Sequence, residues 1–86
     1  MVELSPGINQ VLYRGPTQYV DEVLAPLQGK YVCAEWSPPG SPFRLRYCPG
    51  MSTNRPLITS GSIVTLYMIA PASIPMGAIT AISAVR

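Results

Sequence analysis

The chain has 86 residues, enough for one small domain, and its net charge of +2 is too small to indicate a nucleic-acid-binding protein by itself. Charged residues make up 12% of the chain, about half of the usual share, whereas apolar residues reach the normal level of 48%. Ten prolines and seven glycines without a repeat exclude collagen and favour short strands joined by many turns.

The first third of the chain predicts an arm, a strand and one ambiguous segment. Residues 1–8 are expected to form a loose arm that ends in a turn at Ser5-Pro6-Gly7, with a strand over residues 9–14. No basic start followed by an apolar core is present, so no secretion signal is predicted. Residues 17–24 fit a helical turn that Pro26 would end early, and they fit a short strand equally well.

The middle of the chain predicts two strands, over residues 30–36 and 43–48, separated by a proline-rich loop. Cys33 and Cys48 lie in these strands, where they could form a disulfide or remain two small buried thiols. The missing secretion signal favours free thiols. Two thiols without any histidine cannot supply the usual four ligands of structural zinc, and no metal or cofactor is predicted.

The last third contains no charged residue from Pro56 to Val85. Residues 62–69 and 78–85 are rich in β-branched and aromatic side chains, which predicts two strands. The prolines at positions 71 and 75 fall in the gap between them, where a missing backbone donor does no harm. A segment so poor in charge must be covered by the chain's own core, by a lipid bilayer or by neighbouring protein subunits.

The first of these two strands is apolar on both faces. Val64, Leu66 and Met68 share one face by the two-residue period, and Ile63, Thr65, Tyr67 and Ile69 share the other. This pattern is typical of a central strand or of a protein interface. Because a short chain buries little surface, we expect contacts with other subunits. The candidate interface residues are Val64, Leu66, Tyr67, Met68, Ile79 and Ile82.

Residues that support catalysis are scarce, and an enzyme is not predicted. Without histidine the commonest general base is missing, and neither a phosphate-binding loop nor a nucleophile elbow occurs. Asp21 and Glu22 would point apart on a helix. Glu35 is expected at a sheet edge or interface, because buried carboxylates are rare.

Three arginines form the one basic grouping of the chain. Arg44, Arg46 and Arg55, with Tyr47 nearby, are candidate contacts with nucleic acid, because guanidinium groups bind phosphates and aromatic rings stack on bases. The competing interpretation is a solvated face held by salt bridges.

Residues 62–69, followed by Ala70-Pro71 and by residues 78–86, resemble the last two strands of viral jelly-roll coat proteins. In that family the final strands belong to two facing sheets. The resemblance implies a virion protein that contacts other coat subunits, with arginines near packaged nucleic acid. A full jelly roll has eight strands, so a chain with fewer would be part of a sandwich that a neighbouring subunit completes.

The predicted fold is therefore mainly β, with five or six short antiparallel strands in a partial β-sandwich and at most one short helix. The predicted function is a structural subunit or accessory protein of a large assembly in the virion, with copies of the same or a related coat protein as partners. One alternative is a small membrane-associated protein anchored by residues 62–85, which two prolines disfavour. The other is a small nucleic-acid-binding β module.

Overall fold

Short antiparallel strands make up most of the structure, a computed structural model that describes residues 2–51, 54–74 and 79–84, with residues 2 and 79–84 described through their backbone. The strands are β1 (Val2–Leu4), β2 (Gly7–Tyr13), β3 (Gln18–Tyr19), β4 (Tyr31–Ser37), β5 (Leu45–Tyr47), β6 (Leu57–Ile58), β7 (Ile63–Met68), β8 (Ala72–Ile74) and β9 (Ile79–Ala84). A helical turn α1 (Val20–Val23) and a 3₁₀ turn (Ala25–Leu27) lie between β3 and β4. The predicted mainly β fold is confirmed, with additional strands of two or three residues.

The principal sheet contains five strands in the order β5-β4-β7-β2-β9, and every neighbouring pair is antiparallel. The charge-free strand β7 lies at its centre, hydrogen-bonded to β4 on one side and to β2 on the other. Strand β9 pairs with the far side of β2. The two final long strands therefore belong to one sheet, whereas the resemblance to jelly-roll coat proteins implied two facing sheets.

The first residues of the chain are held by strand pairing, in place of the expected loose arm. Strand β1 pairs with β8, with Val2 opposite Ile74 and Leu4 opposite Ala72. The Nδ2 of Asn9 donates to the carbonyl oxygen of Ser5 at 2.6 Å, which stabilises the predicted turn between β1 and β2. Sequence reasoning identified this turn but not β1, because the partner strand β8 lies far along the chain.

Residues 17–24 combine the two predicted alternatives. The chain is extended through Gln18 and Tyr19, which pair with β6, and then forms α1. The backbone N–H of Val20 donates to the carbonyl oxygen of Pro56 at 3.0 Å, so the helical turn begins where the strand contact ends. Pro26 lies inside the 3₁₀ turn that follows, as expected for a residue that interrupts an α-helix.

One face of the principal sheet forms the hydrophobic core, and we call it the inner face. Helical turn α1, the 3₁₀ turn, β6 and β8 contribute to the same core. The largest fully buried side chains include Tyr13, Leu24, Leu27, Trp36, Ile58 and Leu66. A buried side chain of this size contributes about 1.5–3 kcal/mol relative to its exposed form, so the core is the main source of stability.

Cys33 and Cys48 form a disulfide, which corrects the preference for free thiols. Ala34 of β4 pairs with Tyr47 of β5, so the antiparallel register makes the two cysteines the next opposed pair. Both cysteines are buried. The preference for free thiols relied on an expected cell compartment, whereas the pairing follows from strand register, which the spacing of two cysteines does not reveal.

The segment that the membrane alternative requires as an anchor forms strands. Residues 63–68, 72–74 and 79–84 are β7, β8 and β9. Across residues 2–51, 54–74 and 79–84, no helix has the length and apolarity needed to span a bilayer.

Candidate functional site

The face of the principal sheet opposite the core carries the chemistry of the candidate site, and we call it the outer face. It includes Ile8 and Gln10 of β2, Glu35 of β4, and Ile63, Thr65 and Tyr67 of β7. Alternation along each strand produces this division, because the intervening residues point into the core. The outer face is therefore fixed by the same packing that buries the inner face.

A single carboxylate organises the polar centre of the outer face. Glu35 lies opposite Arg46 in the β4–β5 register. Its Oε2 is 3.7 Å from the Nε of Arg46, and its Oε1 is 3.4 Å from the Nη2 of Arg44. The hydroxyl of Tyr67 donates to the same Oε1 at 2.8 Å. We call these four residues the Glu35 cluster, in which one acid holds two arginines and one tyrosine.

Exposure is distributed unequally within the Glu35 cluster. The side chain of Glu35 is 17% exposed, whereas those of Arg44 and Arg46 are 58% and 62% exposed. The charge presented to solvent is therefore positive, although the acid below it balances one of the two guanidinium groups. Ion pairs as exposed as these contribute little to stability, which leaves orientation of the guanidinium groups as their principal effect.

The hydrogen bond to Glu35 also shifts the pKa of Tyr67. Donation to the carboxylate raises the pKa of the Tyr67 hydroxyl, and burial and the negative charge of Glu35 raise it further. The two arginines act in the opposite direction. The net effect is a raised pKa, which favours the protonated hydroxyl that donates to Glu35.

A groove lies beside the Glu35 cluster. Its volume is about 330 Å³, and it is lined by Gln10, Ser37, Pro39, Arg44, Gly61, Ile63 and Thr65. The Nη2 of Arg44 donates to the hydroxyl of Thr65 at 3.5 Å, and both residues line the groove. The groove thus combines a cation, hydroxyl and amide groups, and an apolar wall.

The predicted interface residues of β7 divide between the two faces. Val64, Leu66 and Met68 are buried in the core of the same chain, so their side chains offer no exposed surface for a partner. Tyr67 lies on the outer face. Ile79 and Ile82 belong to β9, whose backbone pairs with β2, and their side chains fall outside the described part of the structure.

The three predicted arginines belong to two separate clusters. Arg44 and Arg46 share the outer face, but Arg55 pairs with Asp21 at 3.0 Å and with Glu22 at 3.4 Å. The guanidinium group of Arg55 also lies over the ring of Tyr19, 4.1 Å from its centroid. The hydrogen bond to Asp21 raises the pKa of Arg55. The arginines therefore do not form one basic patch.

Sequence reasoning missed the residues that complete the outer face. Tyr47, proposed to lie beside the arginines, packs against the core, and Tyr67 takes that place. Ile8 and Ile63 were not selected, although the alternation that groups Ile63 with Tyr67 was visible. Among the described residues, no group of three or more His, Cys, Asp or Glu side chains could hold a metal ion.

Comparisons with protein-family models, with curated proteins and with solved structures find no match to this chain. Functional inference therefore depends on the geometry and chemistry of the outer face.

Proposed function

We propose that the protein is a structural or accessory subunit of a larger assembly and that it contacts neighbouring subunits through the outer face. The observation that carries this proposal is the exposure of apolar side chains on that face. Ile8 is 40% exposed and Ile63 is 52% exposed, and the half-buried Tyr67 and the exposed Arg44 and Arg46 lie on the same face. Aromatic residues, arginine and apolar anchors surrounded by polar groups are characteristic of protein interfaces.

The division of β7 into two faces supports the same proposal. The inner face is covered by the chain's own core, so its apolar side chains need no partner. On the outer face the described residues leave Ile63 half exposed. Antiparallel sheets with one solvated face normally carry polar residues there, and apolar residues on that face favour a docking surface.

Within this class of protein, we favour a virus coat. Two observations support this finer proposal. Residues 62–86 resemble the C-terminal strands of jelly-roll coat proteins, although β7 and β9 share a sheet. The disulfide between Cys33 and Cys48 suits a protein that persists in an oxidising environment, as on the surface of a virion.

Sedimentation velocity of the purified chain tests the proposal. We expect association that increases with concentration in the micromolar range, through the outer face. Ile63→Glu should abolish association, because it places a charge within the apolar part of that face. Leu57→Glu is the matched control, since Leu57 is 48% exposed on β6, outside the outer face. A wild-type chain that stays monomeric at all concentrations would contradict the proposal, as would equal effects of the two substitutions.

A nucleic-acid-binding β module is the second candidate. It is favoured by the shared placement of Arg44, Arg46 and Tyr67 on one face. It is weakened by Glu35, which balances one of the two arginines, and by the separate pairing of Arg55. Binding to single-stranded DNA that falls steeply with salt would support this candidate, and no binding at low salt would exclude it.

A further inference from the structure

We infer that the groove beside the Glu35 cluster binds an acidic side chain from a neighbouring polypeptide, with Arg44 as the recognition residue. This inference rests on the proposed function, because it specifies the chemistry of the partner that contacts the outer face. The groove would then be a specific binding site within the outer face.

Arg44 is both restrained by its neighbours and exposed to a partner. Its Nη2 contacts both Glu35 and Thr65, at 3.4 Å and 3.5 Å, and these contacts restrain a side chain that lines the groove. The same side chain is 58% exposed. A guanidinium group has five N–H donors in a fixed fork, and a carboxylate can accept two of them. An arginine held in this way loses less conformational freedom on binding than a free one.

The positive charge of the Glu35 cluster favours an acidic partner. Glu35 lies largely beneath the arginines, so the cluster carries a surplus of one positive charge on the side that a partner would meet. A neutral partner would remove these guanidinium groups from water without providing a counter-charge, which costs free energy. An acidic side chain supplies both the charge and the acceptors.

The apolar wall of the groove favours a polypeptide over nucleic acid. Pro39 and Ile63 line the groove together with Arg44. They would contact the aliphatic neighbours of an acidic residue. Nucleic acid would require several phosphate contacts, whereas the cluster offers two arginines that share one counter-charge.

The partner is expected to be a second copy of the chain, because the proposed function expects the purified chain to associate with itself through the outer face. Of its four acidic residues, Glu35 belongs to the cluster itself and Asp21 and Glu22 pair with Arg55. The fourth, Glu3, is exposed on β1 and is the acidic side chain that a second copy can place in the groove. One carboxylate is enough to match a surplus of one positive charge.

Nuclear magnetic resonance of the complete ¹⁵N-labelled chain tests the inference. The probes are three capped peptides in which valine alternates with glutamate, with glutamine or with lysine. We expect the glutamate peptide alone to shift the signals of the Arg44 Nε–H and the Thr65 amide. Arg44→Gln should weaken this binding by about tenfold, the effect of losing one charge-assisted contact. Arg55→Gln, the same substitution at an ion-paired arginine outside the groove, should leave the affinity unchanged.

Three results of these titrations would overturn the inference. These are no response to the glutamate peptide, equal responses to the glutamate and glutamine peptides, or equal affinity of the Arg44→Gln variant with a native spectrum. Tighter binding of an oligothymidine that Arg44→Gln abolishes would reassign the groove to nucleic acid. If Ile63→Glu blocks association while no peptide binds, the inference fails and the proposed docking function stands.

Discussion

The two faces of β7 should respond very differently to truncation. Leu66 is fully buried among the core residues, whereas Ile63, three positions earlier on the opposite face, is 52% exposed. We predict that Leu66→Ala lowers the free energy of unfolding of the isolated chain by about 2–5 kcal/mol, through lost burial and the cavity that remains. Ile63→Ala should cost about 1 kcal/mol or less, since half of its side chain already contacts water.

The expected cost of Leu66→Ala is large relative to the total free energy of unfolding, so a milder substitution is also needed. A domain of this size is stable by about 4–13 kcal/mol, so Leu66→Ala removes a large share. If that variant fails to fold, Ile58→Val provides a milder test at another fully buried core position, with an expected cost of about 0.5–1.5 kcal/mol.

Urea unfolding followed by tryptophan fluorescence is the assay. Trp36 is the sole tryptophan of the chain and is 1% exposed, so its emission reports on the core. With a slope of about 1–1.5 kcal/mol per molar urea, a loss of 3 kcal/mol lowers the midpoint by roughly 2–3 M. Equal midpoints for Leu66→Ala and Ile63→Ala would refute the assignment of the inner face to the chain's own core.

Three further predictions concern the disulfide and the titrating groups. Reducing the bond between Cys33 and Cys48, fifteen residues apart, should destabilise the chain by about 3 kcal/mol in thermal unfolding, since a loop of this length is no longer closed. Glu35→Gln should lower the pKa of Tyr67 towards its ordinary value in an ultraviolet titration, because the carboxylate that raises it is removed; an unchanged titration would contradict the hydrogen bond. Burial raises the pKa of Tyr31 to about 12 from 10, so the folded state retains its proton longer than the unfolded state. The free energy of unfolding should therefore fall as the pH rises from 10 to 12, and Tyr31→Phe should reduce this fall.

The five strands of the principal sheet were predictable from the sequence, whereas β1, β6 and β8 were not. Strands β5, β7 and β9 lie within the segments expected from alternation or from β-branched composition, and β2 and β4 extend beyond theirs, by residues 7–8 and by Ser37. Strand β3 lies in the segment for which a short strand was one of two alternatives. Strands β1, β6 and β8 contain two or three residues, too few for a period of two to be visible. They are defined by pairing across the fold, which depends on tertiary packing.

The outer face could be predicted only in part. Alternation grouped Ile63, Thr65 and Tyr67 correctly, but both faces of β7 are apolar in sequence. Which face is buried depends on the elements that pack against it, and those elements are distant along the chain. Placing Glu35 opposite Arg46 requires the β4–β5 register, across a loop whose length does not specify it. The Glu35 cluster was missed because this register was unknown, and the disulfide was the less favoured of two alternatives for the same reason.

Hydroxyl-radical footprinting of the dissociated and assembled protein tests the role of the outer face most directly. The proposal predicts that Ile63, Tyr67 and Ile8 become protected on assembly, whereas the exposed Leu57 and Met51 remain as reactive as in the dissociated chain. Protection of Leu57 or Met51, with Ile63 and Tyr67 unchanged, would contradict it and would place the contact surface elsewhere on the protein.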